Sequence, residues 1–373
     1  MGSGSHIATL VVIGGFILGF VFGAVANRTN FCTMGAVSDI VNMGSWGRMR
    51  MWLLAIAVAI LGTYGLELAG LIEFSGSFYV RPNVTWASYI LGGFLFGVGM
   101  TLGSGCGSKT LVRIGGGNLK SLVVFVFLGI AAYMTLKGLF AVWRVSWLDP
   151  LATDLKAHGI ARQDVPTLLA AGTGASLTAM RVAAALGVAG ALLAFVFRDR
   201  DFRSSADHIL GGVVVGLVIV GGWYVTGHIG FGENPETLET MFMGTNSHNI
   251  ESLSFVAPVG YTLELLMLWT DQSLGVTFGI AAVAGIVLGS AAYALASRTF
   301  RWEGFAGPGD TAAHVIGGLL MGFGGVTALG CTIGQGLTGF STLAVGSILT
   351  FLAIVAGSAL TMRLQYRRLM REA

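Results

Sequence analysis

Hydrophobic positions in this chain come in runs of about 20 residues, the length that crosses a bilayer as a helix. Short clusters of Gly, Ser, Asn and charged residues separate them. The runs show little of the apolar–polar alternation of a barrel strand. The pattern predicts nine spanning helices at 7–26, 49–71, 86–102, 119–142, 177–197, 206–225, 273–297, 311–329 and 340–362. Two longer loops, 144–176 and 230–272, interrupt the series. The second is acidic (Glu233, Glu236, Glu239, Glu251) and is expected to hold a short helix near 261–269. No basic segment precedes the first run, so it reads as a retained helix and not a cleaved signal. Residues 1–6 (MGSGSH) fit either a tag remnant or a native start.

Within these runs a glycine-marked motif recurs. Gly92-Gly93-Phe94-Leu95-Phe96-Gly97 lies nine residues before Cys106, and Gly317-Gly318-Leu319-Leu320-Met321-Gly322 lies nine residues before Cys331. The two copies align without a gap at an offset of 225 residues, with Gly99/Gly324 and Gly105/Gly330 also identical. A third copy, Leu18-Gly19-Phe20-Val21-Phe22-Gly23, leads by the same count to Cys32. A fourth, Gly211-Gly212-Val213-Val214-Val215-Gly216, leads to Val225, where the cysteine is missing. All three cysteines of the chain therefore fall on repeat positions. Residues 1–373 read as one transmembrane domain, with 7–142 and 206–362 as repeat halves and 177–197 as the connecting helix. An odd connector turns the second half upside down relative to the first, an inverted-topology repeat.

Composition agrees with the membrane assignment. The chain is 54% hydrophobic with mean hydropathy +0.78, and 10% charged, against about 25% charged in soluble domains. Its 58 glycines suit close helix packing. No basic stripe interleaved with aromatics points to nucleic acid. None of the three cysteines forms a CxxC pair, so neither a disulfide framework nor a zinc site is expected. No cofactor motif is present. The absence of a GxxxxGK[ST] signature argues against direct ATP drive. Arg81, Lys137, Arg144, Lys156, Arg162 and Arg181 fall on one side of the predicted helices, and the other 15 of the 21 basic residues on the opposite side. The richer side is expected to be cytoplasmic, with the N-terminus outside and the C-terminus inside a bacterial inner membrane.

The segments around the cysteines are too short to span and too apolar for aqueous loops. They are expected to be re-entrant loops with short half-helices, since irregular backbone at membrane depth survives only when buried in protein or lining a path. Two would dip from the basic side and the Cys331 loop from the other. Half-helices starting after each cysteine would aim N–H groups at the centre, which suits an anion. Cys32, Cys106 and Cys331 are the primary candidates for a translocation path. Gly105, Gly107, Ser108, Lys109, Gly330, Thr332, Gly334 and Gln335 form a second tier. A thiol is a weak donor and acceptor, better matched to a polarisable terminal sulfur than to sulfate or phosphate. Lys109 and Arg113 fit two roles, topology anchor or substrate attractor. Thr332 and Gln335 can donate to an oxyanion or cap a half-helix. Asp39 suits half-helix support or ion coupling; His208 and His314 suit structural hydrogen bonds, with proton coupling as the minority reading. Glu67 and Lys137 are expected to snorkel or pair, with a coupling role as the minority reading.

Arg28-Thr-Asn-Phe-Cys32-Thr-Met-Gly, Gly105-Cys106-Gly-Ser-Lys-Thr-Leu-Val-Arg113 and Gly330-Cys331-Thr-Ile-Gly-Gln335 resemble the signatures of the YeeE/YedE family. The resemblance spans nearly the whole chain. It implies an hourglass-like central path with three essential cysteines at its waist, and uptake of thiosulfate handed between thiols by S–H···S hydrogen bonds. It also implies a TusA-like sulfur carrier as cytoplasmic partner, expected as a separate chain. Membrane lipid is the other partner. An alternative use of the same residues is a thiol enzyme that carries sulfur as a persulfide, which needs a reactive thiolate. Transport of a selenium or other sulfur species is a further alternative. A purely structural membrane protein would tolerate loss of all three cysteines.

Overall fold

The computed structural model describes residues 3–233 and 239–372; Met1, Gly2 and Glu236 lie outside the described residues. In chain order the helices are α1 (Ser3–Arg28), α2 (Thr33–Ser38), α3 (Gly47–Leu68), α4 (Trp86–Leu102), α5 (Gly107–Gly115), α6 (Leu119–Lys137), α7 (Leu139–Trp143) and α8 (Val165–Thr173). They continue with α9 (Leu177–Phe197), α10 (Arg200–Ser204), α11 (Ala206–Tyr224), α12 (Ala257–Met267), α13 (Phe278–Ala296), α14 (Pro308–Thr327) and α15 (Val345–Glu372). Two small antiparallel strand pairs, Asn83–Val84 with Thr153–Asp154 and Phe231–Glu233 with Thr240–Phe242, are the only sheets among the described residues.

The fold is all-α and membrane-spanning. Each of the nine predicted runs is a long helix, and among the described residues eight spans are both long and apolar enough to cross a membrane. The remaining helix, α14, has 20 residues, but its glycines, Asp310 and His314 lower its hydropathy. Three of the helices differ markedly from their expected bounds. The fourth run, expected to reach residue 142, stops at Lys137, because Gly138 takes an extended conformation and α7 restarts beyond it. The seventh helix starts at Phe278, not at 273. The ninth was expected over 340–362. It starts at Val345, after a left-handed turn at Leu343 (φ 54°), and continues to Glu372. Its last turns, with Arg363, Arg367 and Arg368, remain helical where hydropathy ends. The short helix of the acidic loop is present as α12.

Helix pairing is reciprocal. α1 packs along α13, and α11 along α3; α4 packs along α15, and α14 along α6. α1 also meets α11, and α4 meets α14. Exchanging the members of each repeat pair (α1/α11, α3/α13, α4/α14, α6/α15) reproduces the same set of contacts. Glycine makes the α4–α14 crossing possible. A Cβ on Gly99 would stand 2.7 Å from the Gly317 carbonyl oxygen, and one on Gly317 would stand 2.7 Å from the Gly99 oxygen. Gly92 and Gly324 are opposed in the same manner, at 2.7 and 2.6 Å. Gly92 aligns with Gly317 and Gly99 with Gly324 in the sequence repeat, so each motif lies against its own copy, with the chain order reversed.

Because backbone faces backbone here, no rotamer change relieves an added side chain. Gly99→Val is expected to cost about 3 kcal/mol, the upper end for overpacking, and to lower the thermal midpoint of the detergent-solubilised protein. Gly187→Val, on a face of α9 with nothing within 4 Å, is expected to shift it far less. Equal midpoints for the two variants would overturn the crossing.

Candidate functional site

Each cysteine follows the same break in a long helix. The residue two before it is left-handed: Asn30 (φ 51°), Ser104 (φ 57°) and Leu329 (φ 58°). The next backbone N–H then reaches five residues back, from Phe31 to Ala26 (3.1 Å), Gly105 to Met100 (2.9 Å) and Gly330 to Gly325 (2.7 Å). This is the 6→1 bond of a Schellman helix end. The cysteine is extended or begins the following helical turn. Cys32 caps α2, its Sγ accepting from the Gly35 N–H at 3.3 Å. Cys331 does the same for the turn after α14, accepting from the Gly334 N–H at 3.4 Å. Cys106 stands at the start of α5 without a side-chain cap bond to its backbone, its Sγ 3.3 Å from the Ser108 hydroxyl. Sulfur thus takes the helix-start place usually held by Ser, Thr, Asp or Asn. All three thiols are free and buried.

The three turns converge. The Cys32 and Cys106 side chains adjoin each other, Cys106 also adjoins the Thr332 hydroxyl, and Cys331 interacts electrostatically with Cys106. Beside them the Thr33 hydroxyl and Gln335 Oε1 are buried with no hydrogen-bond partner among the described residues, and the Thr332 hydroxyl has Cys106 as its neighbour. Buried polar atoms of this kind are costly if left dry. Gln335 Nε2 donates to the Ala328 carbonyl at 2.6 Å, tying the turn to the end of α14. Phe31 stacks on Trp52 at 4.9 Å and Trp52 on Phe351 at 5.8 Å, so an aromatic wall backs the Cys32 turn.

The second-tier residues sort by contact. Gly105 and Gly330 carry the Schellman N–H groups, and Gly334 caps on Cys331. Gly107 opens α5 against the Phe255 carbonyl. Lys109 donates to Asn30 Oδ1 at 3.3 Å, and Arg113 to the Ser104 carbonyl at 2.5 Å. Both cations therefore brace the left-handed residues of the two breaks on their own face. Asp39 receives a bidentate pair from Arg48 on α3, which supports the half-helix. His314 bonds the Asp310 carbonyl at 2.8 Å, and His208 stacks on Phe202 at 5.8 Å. Glu67 pairs with Arg162 and Arg181, and Lys137 with Glu264.

Sequence reasoning missed four residues. Asn30, Ser104 and Leu329 share a backbone conformation but no side-chain chemistry; only their common distance from a cysteine could have flagged them. Thr33 was visible in principle, since it follows Cys32 as Thr332 follows Cys331. At the fourth repeat position the break itself is missing. α11 runs straight into a π-helical segment, Val225–Ile229.

Comparison with known proteins decides the family. The profile described as sulphur transport matches residues 28–360. The chain belongs to the sulphur transport family. It is 27% identical to the thiosulfate transporter TsuA of Spirochaeta thermophila over 95% of this chain and 99% of that one. It is 25% identical to the thiosulfate transporter TsuA of Escherichia coli over 88% of this chain and 87% of the relative. Both relatives are named as transporters and not as enzymes. As a family member with eight spans meeting the length and apolarity criteria among the described residues, the chain is a multi-pass membrane protein.

The left-handed break gives its own test. Leu329→Gly relieves the conformation, while Leu329→Val adds a β-branch where left-handed backbone already costs about 1–2 kcal/mol. The valine variant is expected to have the lower thermal midpoint of the two. The reverse order would show that the turn is not left-handed.

Proposed function

We propose that this protein carries thiosulfate inward across the bacterial plasma membrane, along a path whose waist is Cys32, Cys106 and Cys331. The observation that carries the reading is the convergence of three helix breaks, two of them capped by sulfur, on one thiol cluster bordered by buried polar atoms. The names of the two relatives support the substrate. The reciprocal helix pairing supports an inverted repeat, with 7–142 and 206–362 as its halves and α9 as connector. The face with Arg28, Arg48, Arg113 and Arg301 is then cytoplasmic by its basic charge. A TusA-like carrier is the proposed receiver there.

The chemistry follows from the groups. A neutral thiol donates weakly to the terminal sulfur of the anion, and the Thr33 and Thr332 hydroxyls donate to its oxygens. Gln335 Oε1 is an acceptor and suits a thiol proton better than an anion. Weak donors in series bind the guest loosely enough to release it, which conduction requires. No bond to sulfur is made or broken in this scheme.

Radiolabelled thiosulfate uptake in cells lacking other importers tests it, with membrane expression checked for each variant. Wild type is expected to import. Cys32→Ser, Cys106→Ser and Cys331→Ser should each lose about tenfold or more, the effect of ~1.4 kcal/mol at the barrier. Normal uptake by all three would overturn the thiol path. A covalently labelled cysteine after exposure to thiosulfate would favour persulfide chemistry instead.

A further inference from the structure

A cavity of about 260 Å³ reaches Leu329 and Gly330, the two residues before Cys331, and no step above uses it. Its lining also includes Asn246 and Ser247. The rest of that lining is largely apolar, and its two charged side chains are Arg144 and Glu251. Arg144 is 19% exposed; among the described residues its one ion pair is a loose one to Asp149 at 3.5 Å, and its Nε is buried without a partner. Its guanidinium is therefore under-used for a partly buried cation.

Glu251 is held from two sides. Its main chain bonds the Thr226 hydroxyl, the N–H donating at 3.2 Å and the carbonyl accepting. Its Oε2 accepts from the Ser247 hydroxyl at 2.8 Å. Among the described residues no cation pairs with it. The charged and titratable groups around it are the Tyr261 phenol on α12, the Tyr79 phenol on the turn Phe78–Val80, and Arg144 across the cavity. His228, on the Thr226 segment, turns away to the Leu71 carbonyl. α13 lines the cavity with Phe278, Gly279 and Ala282, none of them titratable. Burial pushes the Glu251 carboxyl up to about 7, against the lowering effect of Ser247.

We propose that this cavity is the entry subsite for a small divalent sulfur oxyanion, and that Glu251 gates it. The neutral carboxyl lets the anion reach the Arg144 guanidinium and then Cys331, whereas the carboxylate repels it. The inference rests on the transport reading and adds a capture site and a pH dependence to it. The sign follows from the raised carboxyl. Below pH 7 Glu251 is mostly neutral and the entry is open; as pH rises through 7 the carboxylate accumulates and uptake falls. Thiosulfate itself stays a dianion throughout, so the titration belongs to the protein.

The test is initial thiosulfate uptake into right-side-out vesicles at pH 6 and pH 8, with the proton gradient collapsed by an ionophore. For wild type the rate ratio between the two is expected to be about ten, the change in neutral fraction for a group titrating near 7. For Glu251→Gln the ratio is expected to be near one. Arg144→Gln should raise KM about tenfold with kcat little changed, as loss of a binding contact does, and Arg144→Lys should recover part of it. A wild-type ratio near one, or a Glu251→Gln ratio that stays near ten, overturns the gate while leaving the transport reading intact. Should the glutamine variant fail to reach the membrane, thermal stabilisation of the purified wild type by thiosulfate decides the matter. Stabilisation at pH 6 that is lost at pH 8 supports the gate, and equal stabilisation overturns it. Cys331→Ser separates the two proposals, since it should lose uptake but keep the pH-dependent stabilisation. If wild type neither imports nor is stabilised by thiosulfate at either pH, both proposals fall together.

Discussion

A helix that stops inside an apolar layer leaves carbonyls and N–H groups that water cannot reach, and each one unpaired is expensive. Every feature of the thiol site depends on how that cost is met. α1, α4 and α14 end on a left-handed residue, and the next N–H returns to the carbonyl five back. A cysteine then opens the new helical turn. At Cys32 and Cys331 the sulfur occupies one of the exposed N–H groups of that turn. The thiols are therefore positioned by the same bonds that make the breaks tolerable. Serine would cap at least as well, so capping alone does not explain the choice of sulfur. On the proposed function, sulfur suits the polarisable end of the guest and the neighbouring hydroxyls suit its oxygens.

The breaks also explain the two cations near the site. Lys109 and Arg113 looked equally suited to anchoring topology or attracting substrate. Their contacts give them a further task, since each holds a left-handed residue of a break on the basic face, Asn30 or Ser104. Asp39 is used similarly, with Arg48 fastening the half-helix to α3. Charge in the interior is largely tied up in keeping irregular backbone in place. Among the charged side chains lining the cavity near Cys331, Glu251 has no counter-ion and Arg144 only a loose one, which is why they stand out.

Much of this was legible in the sequence because hydropathy and glycine spacing are direct consequences of spanning and close packing. The nine runs, the repeat offset of 225 residues and the placement of all three cysteines on it needed no coordinates. What the sequence hid is conformational. Asn30, Ser104 and Leu329 share a backbone angle and a distance from a cysteine but no residue type, so a reading based on residue types passes over them. Gly138 and Leu343 ended helices that hydropathy alone carried further. Arg144 and Glu251 lie in separate long loops, more than a hundred residues apart, and only the fold brings them to one cavity.

The fourth repeat position closes the argument. If symmetry alone shaped the molecule, α11 would break near Val225 as the other three helices break near their cysteines. It continues instead through a π-helical turn, and Thr226 there bonds both the N–H and the carbonyl of Glu251. A helix that does not break keeps its backbone bonds internal and can act as a fixed post. The loss of the fourth thiol thus coincides with a rigid mount for the carboxyl in the cavity near Cys331. On the proposed reading, three copies of the motif supply sulfur donors at the centre, and the fourth supplies the support for the carboxyl that gates access to them. The departure from symmetry would then give the proposed path a direction, because its two ends present different chemistry to an arriving anion.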